Sequence, residues 1–202
     1  MIFYVDGFNL YHGLHDAYQH KFLWLDLVKL AQSLRPRSQL VTVKYFTASV
    51  LNDSHAQGRQ DTYIDALKAQ NPGAIEVIMG RYQQKKRQCR TCGATWTHYE
   101  EKETDVNIAV NLVADAAAKR AESFIIVSGD SDIAPAVRMA RALNPTAFYA
   151  AAFPPKRFSS ELNLAMPDSF HIGRAKILQS QLPAQVAIRD SAVLLERPIK
   201  WV

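Results

Sequence analysis

The sequence has few cysteines and no long apolar run. Only two of its 202 residues are cysteine, Cys89 and Cys92, which is too few for a disulfide framework. No stretch approaches the roughly 20 consecutive apolar residues that a membrane helix needs. The start, Met-Ile-Phe-Tyr-Val-Asp, lacks the basic segment and long apolar region of a signal peptide. The sequence therefore predicts a cytoplasmic protein that has no membrane partner.

Apolar and aromatic residues, in contrast, are plentiful: 48% of the chain is hydrophobic and 10% aromatic, enough for one α/β domain with a sizeable core. Strand-like runs alternate with helical patterns, which predicts a mainly parallel sheet with helices on both faces. The predicted strands are Met1 to Val5, Leu40 to Ala48, Glu76 to Met79, Phe124 to Ser128 and Thr146 to Ala152. The predicted helices lie near Leu25 to Ser33, His55 to Ala69, Asp105 to Ala118 and Ile133 to Leu143.

Two segments depart from this alternation. Residues 80 to 103 form a polar, basic insert that contains both cysteines and is expected to fold as a β-hairpin. Beyond Phe153 a short helix is expected at Ser160 to Ala165 and a last strand at Ser169 to Ile172, whereas the final twenty residues have no clear period. We therefore expect a domain over residues 1–175 and a C-terminal extension over 176–202 that packs on the domain or contacts a second subunit.

The charge of the chain is unevenly distributed. The sequence has 24 basic and 19 acidic residues, a net charge of +5, and five of the cations fall between positions 81 and 90. This basic segment suits contact with a polyanion such as RNA, and Trp96, His98 and Tyr99 nearby could stack on bases. A solvated basic loop is the alternative. The candidate substrate-binding cations are Lys85, Lys86, Arg87 and Arg90.

Four aspartates lie just past apolar runs or at a helix start. Asp6 follows the first strand, Asp105 opens an apolar helical segment that should be largely buried, and Asp130 and Asp132 follow the strand that ends near Ser128. The carboxyl ends of parallel strands meet at the edge of the sheet where α/β folds place their ligands. Three of these acids also have a local explanation, because Asp-Gly marks turns, Thr104 is a good helix cap before Asp105, and Asp132 could cap the next helix, whereas Asp130 is left without a structural role.

Carboxylates that gather at one edge repel one another unless a cation neutralises them. Oxygen ligands of this kind suit Mg²⁺ or Mn²⁺, which can activate a water and stabilise a phosphoryl transition state. Asn9 offers an amide that can orient a carboxylate or a water. The sequence therefore predicts a divalent-metal site.

Three segments resemble the signatures of NYN domains, the PIN-like nuclease relatives that include LabA-like proteins. They are Asp6-Gly-Phe-Asn-Leu-Tyr, Lys102-Glu-Thr-Asp-Val-Asn-Ile-Ala and Ser128-Gly-Asp-Ser-Asp-Ile-Ala-Pro, and they occur in the family's order within residues 1–150. The resemblance implies a PIN-like three-layer sandwich and a Mg²⁺- or Mn²⁺-dependent endoribonuclease. It implies that the metal ligands are Asp6, Asp105 and Asp130, that Asp132 and Asn9 also belong to the catalytic site, and that Ser128 is a supporting polar group near the substrate.

The cysteine pair leaves three interpretations open. Cys89 and Cys92 have the spacing of a zinc knuckle, and His98 is the nearest candidate for a third ligand of a structural Zn²⁺. A bare pair of thiols and a redox pair are the other two. The fourth zinc ligand could come from a partner chain, and the final twenty residues, which show no helical or strand period, could contact one. Both features are compatible with a homodimer.

Two other functions fit the same residues. A catalytically inactive RNA-binding or regulatory module would keep the fold and lose an acid, and no acid is missing. A metal-dependent phosphatase would also place acids at strand ends, although the basic insert favours RNA. His12 and His15 are expected at the surface, and a cleft position for Lys156 and Arg157 has little support in the sequence.

Overall fold

The computed structural model describes the backbone of residues 1–202 and every side chain except those of Gln83, Lys85, His98, Tyr99, Glu100 and Glu101. The strands are β1 (Ile2–Asp6), β2 (Thr42–Thr47), β3 (Ile75–Met79), β4 (Arg81–Gln88), β5 (Thr95–Lys102), β6 (Ser123–Val127), β7 (Phe148–Phe153), β8 (Phe170–His171), β9 (Gln185–Ala187) and β10 (Leu194–Glu196). The helices are α1 (Gly7–Tyr18), α2 (Leu27–Leu34), α3 (Ser54–Gln70), α4 (Thr104–Ala117), α5 (Ala134–Leu143), α6 (Ser160–Ala165) and α7 (Arg174–Gln179). Two 3-10 helices cover Ser131–Ile133 and Ile199–Trp201.

A six-stranded sheet forms the centre of the fold, in the order β3-β2-β1-β6-β7-β8. Each neighbouring pair in it is parallel. The chain moves outward from β1 through β2 to β3, and later from β6 through β7 to β8, so the strand order reverses between β1 and β6. In open α/β sheets this reversal opens a crevice at the carboxyl ends of the two strands.

The two faces of the sheet bury different side chains, as the alternation of a strand requires. Phe3 and Val5 of β1 pack with α1, α2 and α3, whereas Ile2 and Tyr4 pack with α4 and α5. The result is the α/β architecture with a central parallel sheet that was expected, and it fits a PIN-like sandwich.

A buried network of charged side chains lies between the sheet and helix α4. Lys44 Nζ is 2.6 Å from Asp115 Oδ2, and both side chains are almost fully buried. The Tyr4 hydroxyl donates to the same carboxylate over 2.7 Å, and Arg120 donates to its other oxygen over 3.0 Å. Because removing one member would leave an unpaired buried charge, these residues are expected to support the fold. The sequence patterns did not single them out.

The insert is an antiparallel hairpin of β4 and β5, paired from Arg81 with Lys102 to Gln88 with Thr95. The hairpin expectation is therefore confirmed. Its zinc is not: the described residues contain no group of three side chains placed to hold a metal ion, and Cys89 and Cys92 are both free. His98, the proposed third ligand, lies outside the described side chains, as does Lys85.

Two local expectations were wrong. Glu103 occupies the N-cap position of α4 in a left-handed conformation (φ 80°) without a side-chain capping hydrogen bond, and Thr104 is the first residue of the helix instead of its cap. The apolar start of α4 is not largely buried either. Ile108 and Leu112 are fully buried, but Val106 and Val110 are 62% and 61% exposed because they lie on the other side of the helix.

Helix α1 was not among the helices that the periodicity predicted. Its first residue, Gly7, has no left-handed backbone, so the turn expected from Asp-Gly does not explain this glycine. A Cβ atom at Gly7 would lie 2.7 Å from the carbonyl oxygen of Phe46 and 2.8 Å from the Tyr45 ring. The glycine is required because the start of α1 packs directly on β2.

The C-terminal extension packs back on the domain. The hairpin of β9 and β10 lies against α3. Trp201, in the last 3-10 helix, is 9% exposed and its ring lies 6.3 Å from Trp24 and 5.8 Å from Tyr63. The homodimer and the domain boundary at residue 175 stay predictions. Within the described part of the chain, no helix combines the length and the apolar character that a membrane crossing requires.

Candidate active site

Asp6 is the last residue of β1 and caps helix α1. It is 4% exposed, and its Oδ1 accepts a 3.0 Å hydrogen bond from the backbone amide of Asn9. Its Oδ2 accepts a 2.8 Å bond from the Ser128 hydroxyl. A carboxylate oxygen can accept a second bond, so these contacts leave part of the acceptor capacity of Asp6 unused.

Three further hydrogen bonds order the loop after β6. One joins the loop to α1, and the other two lie within the loop. The Gly129 amide donates to Asn9 Oδ1 over 2.8 Å, and the Asp130 amide donates to Ser128 Oγ over 3.0 Å. Asp130 Oδ1 accepts from the Asp132 amide over 2.9 Å, so Asp130 and not Asp132 caps the 3-10 helix that begins at Ser131, contrary to the expectation from the sequence. The ends of β1 and β6 are therefore joined through side chains on both sides of the crevice.

Asp105 reaches the same crevice from the first turn of α4. It is half-buried, next to the buried Thr104. The left-handed residue before them, Glu103, forms an ion pair with Arg81, the first residue of the hairpin. The base of the hairpin is thus tied to the helix that carries Asp105.

A cavity of about 320 Å³ brings the three acids together. Its lining residues are Asp6, Phe8, Asn9, His12, Thr104, Asp105, Asp130 and Arg157. Asp6, Asp105 and Asp130 come from three separate segments of the chain, as their positions at strand ends and at a helix start predicted. Asp132 is exposed and is not a lining residue, while Ser128 is fully buried behind Asp6 and Asp130.

Arg157 lines the cavity, a position that had little support in the sequence. Its position depends on two glycines, because a Cβ at Gly13 would lie 2.8 Å from the Pro155 carbonyl oxygen and one at Gly129 would lie 3.0 Å from Arg157 Cβ. The Arg157 guanidinium donates to Asp16 of α1 over 2.6 Å. The close approach of this loop explains a cation beside three carboxylates, and no sequence pattern indicated it.

Burial raises the pKa of the Asp6 carboxyl above its ordinary value. The hydrogen bonds from Asn9 and Ser128 oppose this rise, whereas the charge of Asp130 adds to it. The surroundings of Asp6 therefore destabilise its ionised form. A cation in the cavity would relieve both the desolvation and the repulsion from Asp130.

The donor set fits a hydrated divalent cation. Three carboxylates supply hard oxygen ligands, and the cavity has room for several waters at about 30 Å³ each. The described residues contain no cluster of three acids, histidines or cysteines close enough to hold an ion by themselves. Mg²⁺ commonly keeps several waters and contacts one or two carboxylates, so this arrangement suits it better than a cation that needs a complete protein cage.

The hairpin cations lie apart from this cavity. Lys86, Arg87 and Arg90 are exposed, and Trp96, which pairs with Arg87 across the hairpin, is 51% exposed. The pKa of the Cys89 thiol is lowered because the backbone amides of Cys92 and Thr91 donate to it. The hairpin thus presents exposed cations and an exposed aromatic ring, with its thiols at the tip.

A second cavity, of about 310 Å³, adjoins the first and shares Phe8 and His12 with it. It lies between α1, the end of β2 and the start of α3, and the C-terminal 3-10 helix closes one side. Its aromatic lining residues are Phe8, Tyr11, Tyr45, Tyr63 and Trp201. No sequence pattern indicated this cavity, because its lining residues come from distant segments of the chain.

Comparison with known proteins gives one family. The NYN domain model matches residues 1–173. The chain is 33% identical to the 6-hydroxy-3-succinoylpyridine 3-monooxygenase HspA of Pseudomonas putida (strain DSM 28022 / S16), over 69% of this chain and 54% of that protein. The chain thus spans about half the length of this curated relative.

Among solved structures, a similar fold occurs in VPA0982, a protein of unknown function from Vibrio parahaemolyticus RIMD 2210633. The TM-score is 0.59 at 21% sequence identity, and the match covers 86% of this chain and 92% of that one. At this identity the similarity concerns the fold alone.

Proposed function

The chain belongs to the NYN domain family, whose fold is nuclease-like, and we propose that it is a metal-dependent endoribonuclease that hydrolyses RNA phosphodiester bonds. One observation carries the proposal: Asp6, Asp105 and Asp130 line a single cavity at the reversal of strand order in the sheet. Ligands of open α/β sheets bind at this point.

Mg²⁺ or Mn²⁺ is the proposed cofactor, and Asp6, Asp105 and Asp130 would hold it. When bound, such an ion lowers the pKa of a water and neutralises charge on a phosphoryl group. Ser128 and Asn9 keep these acids in place, since Ser128 donates to Asp6 and Asn9 accepts from the Gly129 amide. The Nδ2 of Asn9 has no hydrogen-bond partner among the described residues, so it can orient a water or a phosphate oxygen in the cavity.

Arg157 supplies a positive charge on the open side of the cavity. Its guanidinium is about one-third exposed and is held in place by Asp16. A fixed guanidinium beside the scissile phosphate stabilises the charge that develops there during cleavage. We therefore assign Arg157 a role in binding and stabilising the phosphate.

The hairpin holds the RNA strand outside the cavity. Lys86, Arg87 and Arg90 contact phosphates, and the exposed ring of Trp96 stacks on a base. Lys85 belongs to the same proposed surface on the strength of the sequence alone. A structural Zn²⁺ at Cys89, Cys92 and a further ligand such as His98 remains our proposal for the hairpin tip, supported by the lowered pKa of Cys89. The compartment we propose is the cytoplasm, where such thiols stay reduced.

Incubation of the purified protein with single-stranded RNA, structured RNA and a nucleoside monophosphate tests the proposal. We expect cleavage of RNA with Mn²⁺ and none with EDTA, and loss of cleavage in the Asp105→Asn variant. Asp61→Asn, the same change at an exposed position of α3, is the matched control and should cleave like the wild type. RNA binding without any cleavage would favour the inactive module. Release of phosphate from the monophosphate would favour the phosphatase.

A second candidate is a reaction on a small heteroaromatic compound. The relative from Pseudomonas putida is named a monooxygenase of a substituted pyridine, and the aromatic cavity of this chain is of a size that fits one such ring. The test is incubation with 6-hydroxy-3-succinoylpyridine, oxygen and a reduced nicotinamide or flavin. Consumption of the pyridine would favour this candidate; an unchanged pyridine beside cleaved RNA would exclude it.

A further inference from the structure

The cavity between α1 and α3 has the properties of a ligand site and is not used by the proposed hydrolysis. Its volume of about 310 Å³ is at the lower end of the range for small-molecule pockets, roughly 300–1,000 Å³. It adjoins the acid cavity through Phe8 and His12, which line both. A group bound in it would therefore lie next to whatever occupies the acid cavity.

Aromatic rings from three distant parts of the chain form its inner walls. Tyr45, Tyr63 and Trp201 are each less than 10% exposed, and the Tyr63 ring contacts each of the other two edge to face. The Tyr63 hydroxyl is already used, since it donates to the Leu25 carbonyl over 2.7 Å. These walls offer flat apolar surface, which favours a planar ring over a flexible chain.

His20 adds an unused polar atom to this apolar wall. It lines the cavity, and its Nδ1 is buried with no hydrogen-bond partner in the described part of the chain. Buried polar atoms almost always have a partner, so an unpaired one indicates a missing ligand group. Burial lowers the pKa of His20, and the charges of Lys200, His15 and Arg59 lower it further, so these surroundings favour the neutral imidazole. A neutral imidazole offers one donor and one acceptor, as the edge of a nucleobase does.

Two cations stand at the rim of the cavity. Arg59 comes from α3 and Lys200 from the C-terminal 3-10 helix, and both line the cavity. Neither forms an ion pair with a described side chain within 4.0 Å. Two positive charges without such an ion pair, beside an aromatic pocket, suit a ring that carries an anionic group, such as the phosphate of a nucleotide.

We propose that this cavity binds the base of the nucleotide adjacent to the cleaved phosphate. The base lies against Tyr45, Tyr63 and Trp201 and forms a hydrogen bond with His20, and the next phosphate of the strand lies at Arg59 and Lys200. This proposal rests on the proposed function, because it places one phosphate of the nucleotide at Arg59 and Lys200 and the other, the cleaved phosphate, in the acid cavity. It makes the C-terminal extension part of the substrate site.

Binding of mononucleotides separates this proposal from catalysis, because it requires no cleavage. The probes are AMP and UMP, with ribose 5-phosphate as a control that has the phosphate but no base, measured by calorimetry in EDTA. We expect the mononucleotides to bind at least about tenfold more tightly than ribose 5-phosphate. Equal affinities would overturn the proposal.

Two variants assign the binding to this cavity. Ala56 lines the cavity from the first turns of α3 and is only partly buried, so Ala56→Leu fills space without removing a core contact. His20→Ala removes the unpaired nitrogen. We expect each variant to weaken AMP binding by about fivefold or more at unchanged melting temperature. Arg59→Gln, which removes a cation from the proposed phosphate position, should also weaken AMP binding. Its charge control is Arg37→Gln, since Arg37 is exposed before β2, outside the cavity.

The outcomes also distinguish the two proposals. Binding of AMP that Ala56→Leu weakens, in a protein that never cleaves RNA, supports the base site and contradicts the nuclease. Cleavage of RNA without any AMP binding, or with equal binding in Ala56→Leu, contradicts the base site alone. Binding of 6-hydroxy-3-succinoylpyridine instead of AMP overturns the nucleotide assignment and favours a free heteroaromatic acid.

Discussion

Ser128 and Asp6 are 122 positions apart in the chain, yet the Ser128 hydroxyl donates a 2.8 Å hydrogen bond to Asp6 Oδ2. The bond crosses the point where the strand order of the sheet reverses, from the end of β6 to the end of β1. Ser128 Oγ also accepts from the Asp130 amide. One buried hydroxyl thus positions two of the three acids of the candidate site.

Ser128→Ala is expected to weaken both the fold and the site. Loss of a hydrogen bond to a buried carboxylate costs about 1–3 kcal/mol, measured as the free energy of unfolding in urea. Because this bond lowers the pKa of Asp6, its removal should move the acid limb of the cleavage rate to higher pH. Ser54→Ala, at the exposed start of α3, is the control. An unchanged acid limb would show that Asp6 does not titrate in the reaction.

Asp6→Asn tests the raised pKa of Asp6 through stability. In the unfolded chain the carboxyl ionises near its ordinary pKa of 3.8, and in the folded protein it ionises at a higher pH. The unfolded state therefore binds fewer protons between these two values, and wild-type stability falls as pH rises through this window. The neutral amide avoids that loss and can still accept the bond that caps α1.

We therefore expect the stability of Asp6→Asn relative to the wild type, measured in EDTA, to rise as the pH increases above about 3.8. Addition of Mn²⁺ should raise the melting temperature of the wild type and leave that of the variant almost unchanged. A stability difference that stays constant with pH would contradict the pKa shift. A similar response of both proteins to Mn²⁺ would remove Asp6 from the metal ligands.

Asp130 and Asp132 provide an internal comparison, because they are two residues apart and only Asp130 lines the acid cavity. We expect Asp130→Asn to lower kcat by about 100-fold or more, the usual effect of removing one group that stabilises the transition state. Asp132→Asn should change kcat by less than about threefold, since this side chain is exposed. Equal losses in single-turnover assays would place Asp132 back among the catalytic residues.

The hairpin cations predict a salt dependence. Changing Lys86, Arg87 and Arg90 together to glutamine should weaken the binding of single-stranded RNA. The slope of log K against log salt should become shallower by about 2, at roughly 0.7 per phosphate contact. Fluorescence anisotropy at several salt concentrations measures both the affinity and the slope. The measurements use proteins that also carry Asp105→Asn, which prevents cleavage of the RNA.

The matched control carries the same loss of three charges elsewhere on the surface, as Arg37, Lys68 and Arg189 changed to glutamine. This control should retain the wild-type slope. If both triple variants lose affinity to the same extent, the effect belongs to net charge and the hairpin is not the binding surface.

The central strands and the acids at their ends could be predicted from local sequence patterns. Apolar runs such as Phe124 to Val127 predict buried strands, and acids placed directly after such runs are brought to one sheet edge by the parallel arrangement. Asp6 and Asp130 were predicted to lie at this edge in this way, and Asp105 was predicted from its place at the start of an apolar helix. Helix α1 was missed because two of its four buried residues, Gly7 and Gly13, are glycines, so only Leu10 and Leu14 mark its buried face as apolar.

The remaining features of the site depend on contacts between distant segments of the chain. Arg157 enters the acid cavity because two glycines let its loop approach α1 and the end of β6, and Trp201 closes the aromatic cavity because the last residues fold back over α3. Short-range periodicity in the sequence determined where the strands and the acids lie along the chain. The partners of those acids, the exposure of Asp132 and the second cavity required the packing of the whole chain, which no local pattern specifies.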